Sequence, residues 1–325
     1  MTLAPGVQSL IDWGRDVNTA LGELPLLTRR GALRDELDRE LRRRGVSVEV
    51  AADPIDRLIR VDGGEIRVRA FRPRSTGPHP AFVHFHGGGF VFGTIDALVN
   101  DAKCAHICAA AECVVVTVDY RLAPEHRFPT APEDCYAALL WAVRNAAQLD
   151  IDPGLLAVGG ESAGGNLAAV VALMARDRDG PQLALQVLEV PVTDMSARAV
   201  DYPSVALFGD GFGLDYADME YFTTQYLSAA SDAEKPYASP ALATDLAGVA
   251  PAHIITAEFD VLRDSGEDYA RRLLLAGVST TVDRRPGHTH GSSVLWQEWE
   301  PAREWMDEVV SALQRAFHSA KVEPS

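Results

Sequence analysis

The stretch Leu155-Leu156-Ala157-Val158-Gly159-Gly160-Glu161-Ser162-Ala163-Gly164-Gly165-Asn166 decides how the rest of the chain is read. Four apolar residues run without polar alternation into a glycine pair, as in a strand buried on both faces, and residues 163–176 read as a helix. Gly160-Glu161-Ser162-Ala163-Gly164 is then a G-x-S-x-G sequence in strand–turn–helix context. Small residues at 160 and 164 let strand and helix approach, and the tight turn strains Ser162 so that its hydroxyl projects at a helix N-terminus. Ser162 is therefore the candidate nucleophile. A glycine-rich turn with an incidental serine is the competing reading, and the context weighs against it.

Outward from this stretch the pattern repeats. Apolar runs at 81–85, 113–118, 183–188 and 253–257 alternate with helical segments near 97–111, 132–147, 264–276 and 296–317. That alternation predicts an α/β fold with a mostly parallel twisted sheet flanked by helices. Before Pro80 the period is two: Ile66, Val68 and Ala70 alternate with Arg67, Arg69 and Phe71 after a Gly63-Gly64 turn, which predicts an antiparallel pair. Residues 7–44 read as two amphipathic helices, with Leu33, Leu37 and Leu41 in one stripe and Arg42 to Arg44 at a helix C-terminus before Gly45. These helices precede every strand and must pack on something built later. The expected organisation is an N-terminal helical cap segment at 1–50, an α/β catalytic domain at 51–194 and 236–319, and a cap insertion at 195–235. The insertion carries Tyr202, Phe208, Phe212, Tyr216, Tyr221, Phe222 and Tyr226, which either line an apolar pocket or pack on the N-terminal helices.

Composition narrows the partners. The chain has 325 residues, 47% hydrophobic and 23% charged, an ordinary globular balance. A formal net charge of -16 repels phosphate backbones and anionic lipid, so no nucleic-acid partner is expected, while a neutral ester is not repelled. Cys104, Cys108, Cys113 and Cys135 lack the paired spacing of a zinc site and read as buried free thiols. Neither a metal nor a cofactor is expected. Residues 1–10 lack a basic and then apolar leader, and no apolar stretch of 18 residues follows, so a cytoplasmic protein without stable membrane insertion is expected.

A neutral serine is a weak nucleophile and needs a base, itself oriented by a carboxylate. Asp260 stands just past the run 253–257, at the strand end where crevices of open α/β sheets lie. Glu258 is expected to satisfy local backbone, and Asp264 to cap the following helix. Downstream, Pro286-Gly287-His288-Thr289-His290-Gly291 reads as a loop presenting a histidine, and chemistry alone does not separate His288 from His290. A metal-binding H-x-H is disfavoured because no third ligand stands nearby. His86-Gly87-Gly88-Gly89-Phe90 follows the run 81–85 and matches an H-G-G-G loop whose amides stabilise an oxyanion. Phosphate-binding glycine patterns are absent.

Taken together, His86 to Phe90, Tyr120-Arg121-Leu122-Ala123-Pro124-Glu125, Phe128-Pro129, Glu133-Asp134, Gly160 to Asn166 and Asp260 to Asp264 closely resemble the bacterial hormone-sensitive-lipase-like esterases over about 80–316. The resemblance implies the α/β-hydrolase fold and a serine carboxylesterase acting on short to medium acyl esters. It implies Ser162 as nucleophile, Asp260 as acid and His290, in the position of the family's H-G-F segment, as base. It also implies Gly88, Gly89 and Ala163 as oxyanion donors, helical caps at the two poorly matched regions, and in similar members a homodimer formed through sheet-edge elements. Two residues depart from the family pattern. Ser292 replaces the usual phenylalanine, which is expected to loosen the packing behind the base or to open the pocket. Glu161 replaces a frequent aspartate and is expected to hold the turn or the base's surroundings. The fold also resembles the plant gibberellin receptors, which bind a small carboxylate and lack the catalytic histidine; His290 argues against that reading. Acyl transfer and amide hydrolysis by the same triad are the remaining alternatives.

Overall fold

The computed structural model describes residues 3–48 and 54–322. Eight strands form one sheet: β1 (Ile55–Val61), β2 (Gly64–Phe71), β3 (His79–Phe85), β4 (Val114–Asp119), β5 (Ile151–Glu161), β6 (Leu185–Glu189), β7 (Ala252–Phe259) and β8 (Thr280–Thr289). Their order is β1-β2-β4-β3-β5-β6-β7-β8, antiparallel across β1, β2 and β4 and parallel from β4 to β8. The antiparallel pair follows from the period-two sequence around Gly63, whose φ of +70° suits the turn between β1 and β2.

The apolar runs bury both faces because successive side chains point to opposite sides of a sheet. Val83, Val116, Val158 and Leu188 face one core, shared with α4 (Thr130–Arg144), α6 (Ala163–Asp177) and α9 (Arg263–Leu275). Their neighbours Phe82, Val115, Ala157 and Val187 face a second core with α3 (Leu98–Ala111) and the C-terminal helix Glu300–Val322. That last helix is expected from 296. It starts instead at Glu300, followed by Pro301, where proline's missing N–H costs nothing. All four cysteines are buried and free, and burial pushes the Cys104 and Cys108 thiols up to about 12.

The N-terminal helices are α1 (Pro5–Leu21) and α2 (Leu26–Arg43), and the division expected at 50/51 lies outside the described residues. Arg30 donates to the carbonyls of Val91 and Ala123 and pairs with Glu125 at 2.8 Å. Arg44 is buried between Glu40 and Glu298, an anchoring role beyond the terminal charge expected of it. Between β6 and β7 the chain leaves the sheet and forms the short helix Pro203–Phe208 and the helix Tyr216–Tyr226. Among the described residues no helix is long and apolar enough to cross a membrane.

One ion pair crosses the second core. Lys103 on α3 reaches Glu189, the last residue of β6, at 2.7 Å, with side-chain exposures of 6% and 1%. Burial opposes the charge on Lys103, but Glu189 and Glu161 around its ammonium carry its pKa above the ordinary value. Removing one member of such a pair strands the other's charge in the interior. Lys103→Met is therefore expected to lower the unfolding free energy by about 3–5 kcal/mol in urea titrations. The double change Lys103→Met/Glu189→Gln should recover more than half of that loss, and equal losses for single and double variants would refute the account.

Candidate active site

Four loops at the C-terminal ends of the parallel strands build the site. At the end of β5, Ser162 has φ 58° and ψ −116°, a left-handed conformation disfavoured for a residue with a Cβ. The turn fits because a Cβ on Gly160 or Gly164 would run into the Phe85 carbonyl of neighbouring β3. The Ser162 amide donates to the Glu189 carbonyl at 2.8 Å, tying the turn to the end of β6. Ala163 opens α6, where the first amides have no partner within the helix.

Across β6 from that turn, β7 and β8 run parallel with Phe259 opposite Thr289, so the residues that follow, Asp260 and His290, emerge side by side. His290 Nδ1 lies 2.9 Å from Asp260 Oδ2, and His290 Nε2 lies 2.9 Å from Ser162 Oγ. Asp260 is buried, and its other oxygen accepts the Leu262 amide at 2.9 Å. Burial pulls the His290 pKa down; the charge and hydrogen bond of Asp260 outweigh that and raise it above 6.5, with a smaller push from Glu161.

His288 sits elsewhere. Its ring lies between Trp299 and Trp305, with centroids 4.5 and 5.0 Å away, and burial pushes its pKa down to about 4. The segment expected as a loop continues β8 as far as Thr289, because β8 keeps pairing with β7 past an irregularity after Ala257. Alternation alone would put residues 288 and 290 on one face; β8 ends at Thr289, so His288 keeps the strand's direction and His290 takes that of the turn that follows. Ser292 is fully buried. Its hydroxyl lies 2.8 Å from His288 Nδ1, donates to the Thr289 carbonyl at 2.9 Å and accepts the Thr289 amide at 3.1 Å. Ser292 is thus tied to His288 and Thr289 by hydrogen bonds.

The fourth loop follows β3. Gly88 and Gly89 have φ of +121° and +61°, and a Cβ there would strike the Phe92 carbonyl and the Phe222 ring respectively. Tyr120 stacks on His86 at 4.3 Å and donates to its carbonyl at 2.8 Å, which fixes the loop's start. A cleft of about 820 Å³ opens over Ser162, His290, Gly88 and Gly89, walled by Leu33 and Leu37 of α2 and by Leu214 and Phe222 of the insertion. The insertion's aromatics divide. Phe222 faces the cleft, Tyr226 stacks on Phe90 at 3.8 Å, and Phe208 and Phe212 pack with Phe259.

Glu258 accepts the Gly287 amide at 2.8 Å, a local backbone partner. Asp264 differs from its expected role: α9 starts before it, at Arg263, and its carboxylate accepts the Ser204 amide, near the N-terminus of the helix Pro203–Phe208. Sequence reading missed the pair Lys103 and Glu189, which joins Glu161 at 3.3 Å from Lys103 beside the nucleophile turn. A single acid closing an apolar strand was the available clue. Among the described residues no group of three or more His, Cys, Asp or Glu is placed to hold a metal ion.

Residues 82–293 match the family model described as alpha/beta hydrolase fold. The chain is 43% identical over 272 residues to the carboxylic ester hydrolase LipN of Mycobacterium tuberculosis, covering 82% of this chain and 71% of that protein. It is 40% identical over 258 residues to the ethyl acetate hydrolase of Pseudomonas putida, covering 78% and 80%. Among solved structures, the hyperthermophilic esterase of the archaeon Pyrobaculum calidifontis superposes with a TM-score of 0.87 at 36% identity, over 97% of this chain and 99% of that one. With these matches the chain belongs to the hormone-sensitive-lipase-like carboxylesterases of the α/β-hydrolase superfamily.

Proposed function

We propose that the chain hydrolyses short to medium acyl esters through an acyl-enzyme on Ser162. The observation that carries this reading is the pair of 2.9 Å contacts of His290, one to Ser162 Oγ and one to Asp260. With its proton on Nδ1, His290 donates to Asp260 and takes the Ser162 proton at Nε2 as the hydroxyl attacks the ester carbonyl. The amides of Gly88, Gly89 and Ala163 receive the oxyanion, each donor contributing roughly 3 kcal/mol of transition-state stabilisation. His290 then protonates the departing alcohol, and water, activated the same way, releases the acid and restores Ser162.

In this reading α1, α2 and residues 195–235 form the cap, supported by Leu33, Leu37, Leu214 and Phe222 in the cleft wall. A cytoplasmic location is supported by four free buried cysteines. Strand β8 is one of the two outer strands of the sheet, with Val282 exposed on it and Leu275 exposed at the end of the adjoining α9, which supports a homodimer across that edge. The charge of -16 speaks against a nucleic-acid partner.

Ser162→Ala, assayed on aryl esters of increasing acyl length, is expected to lose turnover at every length and to lose labelling by a fluorophosphonate; full retained turnover would overturn the assignment. The base works only when neutral, and the Asp260 charge raises the pKa of His290. In the wild type kcat/KM should therefore rise with pH through an apparent pKa above 6.5. In Asp260→Asn that limb should move to lower pH while kcat falls by about 10³ to 10⁴. An unmoved limb would mean that another group is titrating.

A further inference from the structure

Three consecutive residues of the loop after β3 have left-handed backbone: Gly88 at φ +121°, Gly89 at +61° and Phe90 at +63°. The glycines adopt it freely, but Phe90 has a Cβ and is strained there. Such strain persists only where the surroundings hold it in place. The Gly88 carbonyl accepts the amides of Val91 at 3.1 Å and Phe92 at 2.8 Å. Across a trans peptide the Gly89 N–H points the opposite way from that carbonyl, so the grip on one edge of the peptide unit sets the direction of the other. Among the described residues neither the Gly88 nor the Gly89 amide has an acceptor. A shift of Val91 therefore turns a free donor.

Val91 is held from the N-terminal helices. Arg30 of α2 donates through Nε to the Val91 carbonyl at 2.7 Å and through Nη2 to the Ala123 carbonyl at 2.6 Å. The two Glu125 oxygens take Nη1 and Nη2 of the same guanidinium at 2.9 and 2.8 Å. Val91 and Ala123 are buried, and among the described residues no second donor reaches either carbonyl. The Ala123 amide in turn donates to the carbonyl of the strained Phe90 at 2.9 Å. One planar cation thereby joins the residue after Phe90 to the residue that bonds Phe90 itself. Four acceptor atoms surround it, which suits a rigid fork of N–H groups and not the compact point charge of a lysine.

We propose that Arg30 is a positioning residue for ester hydrolysis: by clamping Val91 to Ala123 it holds the Gly88 and Gly89 amides where the oxyanion forms, so α2 completes the catalytic loop as well as walling the cleft. This rests on the esterase reading of Ser162. The test compares the wild type with Arg30→Met, Arg30→Lys and Asp38→Ala on a p-nitrophenyl ester. It records kcat, KM, their pH dependence, and the Ki of a trifluoromethyl ketone whose hemiketal oxyanion calls on the same amides. Asp38 lies on the same helix and accepts the Leu98 amide at 2.9 Å, an anchor that does not involve the glycine loop.

Arg30→Met should lower kcat by about ten- to a hundredfold, the effect of a displaced donor, and leave KM nearly unchanged. Its Ki should rise by the factor by which kcat/KM falls, because the lost contact belongs to the transition state. Arg30→Lys should recover part of the loss. The pH limb set by His290 should stay in place in both, and Asp38→Ala should keep the wild-type kcat. An unchanged kcat in Arg30→Met, a loss confined to KM, a moved limb, or an equal fall of kcat in Asp38→Ala overturns the clamp. Should Arg30→Met not fold, Arg30→Lys decides: a lower kcat and a higher Ki at an unmoved limb support the clamp, and wild-type values overturn it. A wild type that turns over the ester keeps the esterase reading however the variants fall. A wild type with neither turnover nor fluorophosphonate labelling removes both.

Discussion

Glu189 closes strand β6, and its two polar ends serve different parts of the catalytic apparatus. Its carbonyl accepts the Ser162 amide at 2.8 Å and so holds the strained turn against the neighbouring strand. Its carboxylate meets Lys103 and accepts the Trp305 indole N–H at 2.8 Å. Trp305 in turn packs on His288, and His288 is bonded to Ser292 at the segment that carries His290. The Ser162 turn and the segment carrying His290, the proposed nucleophile and base, are thus referenced to one buried ion pair by a short run of contacts. A neutral replacement would pack as well, since buried pairs rarely add net stability. What the charge adds is direction: a carboxylate demands its donors in fixed places, and an apolar side chain does not.

The same cluster sets the electrostatics around the base. His290 is buried, and burial alone favours neutral imidazole. Asp260 opposes that strongly and Glu161 adds to it, so in the proposed mechanism the imidazolium is favoured by both carboxylates. Lys103 sits 3.3 Å from Glu161 and moderates the second of these. His288, two residues away, has tryptophan faces and no carboxylate partner among the described residues, and burial lowers its pKa to about 4. Two imidazoles on one strand end thereby differ in charge behaviour through their neighbours alone, and only one has the carboxylate that catalysis needs.

The sheet was legible because strands buried on both faces write unbroken apolar runs, and the nucleophile turn because close backbone approach demands glycine at 160 and 164. Asp260 followed from its place at a strand end. The histidines did not separate from residue chemistry, because their sides depend on how far β8 continues, and that is fixed by pairing with β7 beyond the irregularity after Ala257. Asp264 was misread for a similar reason. Its partner, Ser204, is 60 residues away in sequence, and no local pattern announces it. Lys103 and Glu189 were passed over because each is unremarkable alone, and their meaning lies in being 2.7 Å apart.

The cleft wall is the least legible part, and the reason is physical. Core positions are constrained by packing on all sides, so periodicity records them. Leu33, Leu37, Leu214 and Phe222 pack on one side and face empty space on the other. Among the described residues nothing completes their surroundings on that side, and in the proposed function the substrate does. Their sequence is therefore free to vary with the ester, while the loops beneath are held by strain, backbone approach and buried charge. The boundary between the two regimes runs through Gly89, whose backbone belongs to the glycine loop and whose missing side chain leaves room for Phe222. A methyl group there would push the aromatic ring into the space a substrate must enter, so the turn chemistry and the shape of the cleft are set by the same absent atom.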